Sequence, residues 1–146
     1  MTAIIHDVEP QLPVLTIAPD TAFAILLKAR EFDVKVAETD PDSGSNPSDD
    51  NSVDALEFGP SDNTRNELAS AIHDLNDDEQ NDLLALIFLG RGDFSLTEWA
   101  QAKHAAREIG RQQITKFICD IPLVSDYLEE GLSLFGQPLQ SYLDSH

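Results

Sequence analysis

Residues 83–89 read Leu-Leu-Ala-Leu-Ile-Phe-Leu, seven apolar side chains without a polar interruption. The string ahead of them, "NDDEQ" at 76–80, has the marks of a helix start. Asn76 can cap, Glu79 three positions on can close a capping box, and Asp77 and Asp78 suit the positive end of the helix dipole. Seven helical residues cover about two turns, so this run is apolar on every side. Such a helix cannot lie on a surface. Other helices of the chain, or a second subunit, must surround it. Gly90 is the expected left-handed terminator. The run is far shorter than the roughly 18 apolar residues that a membrane span needs.

The rest of the chain supplies candidates to surround it. Residues 1–18 alternate short apolar pairs with Pro10 and Pro13 and read as an extended arm. Pro19 opens a first helix with Asp20 in its first turn, and Phe23, Leu26, Leu27 and Ala29 follow at helical spacing to about Phe32. An acidic loop is expected over residues 37–62, with a short helical turn at 53–58 and a break at Gly59-Pro60. A second helix spans about 63–75 and presents Leu68, Ala71, Ile72 and Leu75. After the central third helix, "SLTE" at 95–98 is a capping box flanked by Phe94 and Trp99 at the spacing of a hydrophobic staple. Helix four then extends to about Ile118 and buries Trp99, Ala102, Ala106, Ile109 and Phe117. Pro122 opens helix five, with Leu123, Val124, Tyr127, Leu128, Leu132 and Phe135 inward. Gly131 within it marks close helix packing or a bend. The expected architecture is all-α: a single-domain bundle of about five helices over residues 19–136, an N-terminal arm and a tail at 137–146.

The strings "DDEQNDLLALIFLGRGDFSLTEW" and "PLVSDYLEEGLSLFG", with "KAREFDVK" at 28–35, carry a resemblance. The chain resembles an uncharacterised, mainly proteobacterial family of small domains, the domain of unknown function 3775 family, from about Ala22 to Phe135. The resemblance implies a bacterial origin but no activity, cofactor or catalytic residue.

Charge narrows the partners. The 146 residues include 27 acidic and 9 basic side chains, for a formal net charge of −18. Nucleic acid and anionic membranes are bound by neutralising phosphates with Lys and Arg, so neither is an expected partner. The chain has one cysteine and no basic, apolar leader at residues 1–15, which makes cytoplasmic the expected location. Cys119 is expected to be a buried, inert thiol.

The acidic string "TDPDSGSNPSDDNSVD" at 39–54 does not fit a calcium loop of the EF-hand kind. From Asp40, position six is Ser45 and position twelve Asn51; from Asp42 they are Pro47 and Val53. Neither register offers the glycine and bidentate carboxylate that an EF-hand requires. Asp, Ser, Asn, Pro and Gly are also what any exposed loop contains. A solvated loop is the preferred reading, and a non-standard calcium or magnesium site built from Asp40, Asp42, Asp49 and Asp50 is the alternative.

Other chemistries find less. One cysteine and four scattered histidines give no zinc spacing, and no nucleophile elbow is present. "GRGDF" at 90–94 is neither a phosphate loop nor, without a secretion signal, an adhesion motif. Adjacent carboxylates are too common in so acidic a chain to single out an acid–base pair. The one contrast is Lys103, Arg107 and Arg111 at spacing four, a basic stripe expected to meet acidic helices within the subunit or across a dimer. The functional expectation is a non-catalytic protein-interaction domain that self-associates and needs no cofactor. Its alternatives are a divalent-cation-responsive module or an enzyme with an unrecognised carboxylate site.

Overall fold

The structure, a computed structural model, describes residues 12–43 and 60–145, without the side chains of 38–43 and 60–62. Seven α-helices are found among these residues: α1 (Pro19–Ser43), α2 (Pro60–His73), α3 (Asp77–Arg91), α4 (Trp99–Ile109), α5 (Arg111–Cys119), α6 (Val124–Leu134) and α7 (Leu139–Ser145). A 3-10 turn, Leu96–Glu98, leads into α4. The fold is all-α and no strand occurs among the described residues. No described helix is long and apolar enough to cross a membrane.

The centre is α3. Asn76 Oδ1 accepts the Glu79 N–H at 2.8 Å and Glu79 Oε1 accepts the Asn76 N–H at 2.9 Å, the full capping box. Every residue from 83 to 89 is at most 7% exposed. The helices of this one chain supply all of that cover, with α6 and α4 packing most extensively and α5 adding to them. No second subunit is needed to bury the run.

Two glycines set the closest approach. A Cβ on Gly131 of α6 would stand 2.1 Å from the Leu86 carbonyl oxygen, and one on Gly90 of α3 would stand 1.8 Å from that of Tyr127. Residue 86 meets 131 while 90 meets 127, so α3 and α6 run antiparallel. Each glycine sits four residues from the position that touches the other helix. This answers the choice left open for Gly131: it serves close packing.

The same contact corrects the expected end of α3. Gly90 lies inside the helix, and Gly92 terminates it with φ 87°. There the Gly92 N–H donates to the Leu89 carbonyl at 3.0 Å and the Asp93 N–H to the Phe88 carbonyl at 2.9 Å.

Further boundaries differ from the sequence expectation. Helix one runs to Ser43 rather than Phe32, and α2 begins at Pro60, so both ends of the stretch expected as an acidic loop are helical. The intervening residues, including the turn expected at 53–58, lie outside the described residues. Helix four does not reach Ile118. Gly110, with φ 87° and ψ 152°, adopts a conformation open only to glycine and divides it into α4 and α5. Helix five opens at Val124, not Pro122, and part of the tail forms α7. Seven helices therefore lie among the described residues where about five were expected of the bundle.

The capping string at 95–98 forms with a different neighbour set. Glu98 Oε1 accepts the Ser95 N–H at 2.8 Å, but the box caps the 3-10 turn. Phe94 and Trp99 turn to separate aromatic partners, Phe94 to Phe88 at 5.9 Å and Trp99 edge-on to Phe135 at 4.8 Å.

Candidate interaction surface

One buried charge organises the inside. Asp82 stands one position ahead of the apolar run on α3 and has no solvent exposure. Its Oδ2 accepts the main-chain N–H groups of Thr16 and of Ile17, the latter at 3.2 Å. Its Oδ1 lies 3.4 Å from Lys103 Nζ on α4. A carboxylate can be buried when a cation and hydrogen-bond donors replace water. The result is a latch that holds residues 16 and 17 of the arm, with Ile17 fully buried beside it. Sequence reasoning assigned Asp82 no role. Its position directly before an all-round apolar run was the available signal.

The basic stripe divides into three fates. Lys103 turns inward to Asp82. Arg111, beyond the Gly110 break, donates to the His73 and Leu75 carbonyls at 3.0 Å each and to Asp77 Oδ1 at 2.9 Å, tying the end of α2 to the start of α3. Arg107 is exposed and forms no ion pair among the described residues. The Asp77 contact is a pairing of the stripe with an acidic helix within the subunit, while Glu129 on α6 is taken by Arg30 at 2.7 Å.

Of the candidate metal ligands, Asp40 and Asp42 fall on the last turns of α1 with side chains outside the description, and Asp49 and Asp50 lie outside the described residues. Among the described residues no group of three or more His, Cys, Asp or Glu side chains comes together.

Among the hollows on the surface is a cleft of about 420 Å³ where α1, α2 and the α5–α6 corner meet. Phe32, Val36 and Ala37 of α1, Arg65 of α2, and the corner from Cys119 to Leu123 between α5 and α6 line it. A shallower hollow adjoins it, shares Asp33, Ala37 and Leu123, and adds Val34, Ser125 and Asp126. Apolar groups stand exposed around both: Leu123 at 55%, Val34 at 50% and Val36 at 42%.

The corner is built against local preference. Leu123 occupies the cap position of α6 with φ 61° and ψ 32°. The left-handed region costs a side-chain-bearing residue roughly 1–2 kcal/mol, and leucine offers no capping oxygen. The missing cap comes from α1: Asp33 Oδ2 accepts the Ser125 N–H at 2.9 Å and the Ser125 hydroxyl at 2.7 Å. Leu123 was expected to face the core. It points outward instead, because the turn after Pro122 places it before the first helical residue.

Charges at this corner are satisfied within the subunit. Arg65 pairs with Asp120 at 3.0 Å, Arg30 with Asp126 at 3.4 Å, and Lys116 with Asp120 at 2.6 Å. The Lys116 hydrogen bond, with help from Arg65, holds the Asp120 carboxyl below the ordinary aspartate range. Burial pushes the Cys119 thiol up, a trend that Arg65 opposes and Asp120 reinforces. Cys119 is a buried thiol, as expected, and is poor in the reactive thiolate form.

What these elements define is an all-α bundle with a fully enclosed central helix and an apolar cleft where α1, α2 and the α5–α6 corner meet. Residues 65–137, from α2 through α6, match the family described as "Protein of unknown function (DUF3775)", and the chain belongs to that family. The match starts at Arg65, so α1 lies outside it, although the resemblance had been placed from Ala22. No curated protein and no solved structure matches the chain.

Proposed function

We propose that the chain is a non-catalytic protein-interaction module that self-associates. The observation that carries this is the exposure of Val36 and Leu123 on the cleft and of Val34 on the hollow that adjoins it, on a bundle whose central helix is already enclosed. Exposed apolar groups gathered in one concave place suit a protein contact, whereas scattered ones need no explanation. The enclosed central helix, which first suggested a second subunit, lends no support, since its own chain covers it.

Sedimentation velocity over a concentration series tests the proposal. A concentration-dependent shift from about 16 kDa to twice that mass is expected. A single species of monomer mass at every concentration would overturn it.

A further inference from the structure

We infer that the partner at this cleft is a second copy of the chain, related by a twofold axis, with Leu123 of each copy seated in the cleft of the other. The inference rests on the self-association proposed above and names its surface and its anchor.

Three observations converge on it. The first is charge. Two copies each carrying a formal −18 repel over most approaches. At this corner, however, the lining of the two hollows contains Arg30 and Arg65 against Asp33, Asp120 and Asp126, close to balance. Each of these groups already has a partner in its own subunit, so little unmet charge is desolvated on contact. A basic protein would gain nothing here, and would prefer the acidic remainder of the surface. A second copy presents the same alternation of arginine and aspartate, and across a twofold axis Arg65 of one copy can stand near Asp120 of the other.

The second observation is the conformation of Leu123. Asparagine or glycine would suit both its backbone angles and its cap position better. Core packing does not explain leucine there, because the side chain is more than half exposed. Residues held against conformational preference concentrate where binding requires them. The third is fit. A cleft of about 420 Å³ lined by Phe32, Val36, Ala37 and Ile121 is roomy enough for an entering leucine and is apolar where it would land.

The test compares wild type with Leu123→Gly and Leu123→Asn by sedimentation velocity and thermal unfolding. Both variants relieve the left-handed leucine, so at concentrations where the wild type is monomeric each should unfold at or above the wild-type temperature. Each should also weaken dimerisation at least about tenfold, as truncation of an interface anchor does. A gain in thermal stability with loss of the dimer separates an interface residue from a structural one. Wild-type dimers that persist unchanged in both variants would overturn the assignment of this corner while leaving self-association standing. A monomeric wild type would overturn both. A monomeric wild type whose cleft binds the dye anilinonaphthalene sulfonate, with binding lost in Leu123→Gly, would point to a different apolar partner and likewise overturn the second copy.

Discussion

At Asp82 a carboxylate out of contact with solvent accepts two main-chain N–H groups from the arm and lies 3.4 Å from the Lys103 ammonium on α4. Removing it would strand the Lys103 ammonium and two main-chain N–H groups at once. Breaking a buried pair from one side costs about 3–5 kcal/mol. Lys103 is itself partly exposed, so the low end applies, about 3 kcal/mol for Asp82→Ala, measurable as a lower urea midpoint. Asp82→Asn keeps one acceptor oxygen and should lose less. Cys119 gives a second check at this scale. Its thiol is shifted up by burial, so a folded protein at neutral pH should react with maleimide far more slowly than a urea-unfolded one. The sign of its pH linkage follows. A group whose folded value is raised stabilises fully below its unfolded value, near 9.0, and that contribution fades as pH climbs past it. Asp120 works oppositely, contributing above the ordinary aspartate value near 3.8 and losing that contribution as pH falls through its lowered one. Its carboxyl is largely exposed, so the acid-side loss should be small.

At the scale of helices, glycine decides geometry in two different ways. Gly90 and Gly131 have ordinary helical backbones, and alanine would favour the helix by about 1 kcal/mol at either site. A methyl group 1.8 or 2.1 Å from a main-chain carbonyl oxygen cannot be accommodated by rotating a side chain, because the obstacle is the neighbouring helix itself. Overpacking costs typically 1–3 kcal/mol and can cost more. A clash with backbone belongs at the upper end of that range, so Gly131→Ala should destabilise by about 2 kcal/mol net, despite its better propensity. Gly110 is the reverse case. A Cβ there would meet nothing within 4 Å, yet the backbone angles exclude alanine, so Gly110→Ala should cost about 1–3 kcal/mol through strain alone. Chemical denaturation of the two variants distinguishes clash from strain, since only the clash should also disturb α3–α6 packing, visible in the near-ultraviolet signal.

These glycines also show how far the sequence could be read. An apolar run, a capping box and a proline at a first turn are local signals, so the existence of α1, α3 and α4 was legible. Whether a glycine ends a helix or lets another helix approach depends on a residue some 40 positions away, and no local pattern contains that. Leu123 failed for the same reason: helical spacing put it inward, but the turn after Pro122 left it outside the helix. The cleft likewise joins α1, α2 and the α5–α6 corner, and no contiguous string announces it.

For the molecule as a whole, charge is the main opposing term that solution conditions can tune. A formal −18 on 146 residues makes the compact state repel itself, and it repels a second copy too. Salt shortens the reach of those charges from about 10 Å at 0.1 M to about 3 Å at 1 M. Raising sodium chloride from 0.05 to about 0.5 M should therefore raise the melting temperature and tighten self-association together. Scanning calorimetry and sedimentation would follow the two effects. A dimer that weakened with salt would mean that attraction between unlike charges, rather than apolar contact, dominates its interface.

The latch on the arm carries one more implication. Asp82 grips amide hydrogens, which every residue but proline possesses, so it fastens the arm without regard to which side chains residues 16 and 17 bear. Thr16 could drift widely through mutation while its seat endured, whereas a single imino acid at either place would strip one of the two amide hydrogens from the acid at the heart of the molecule.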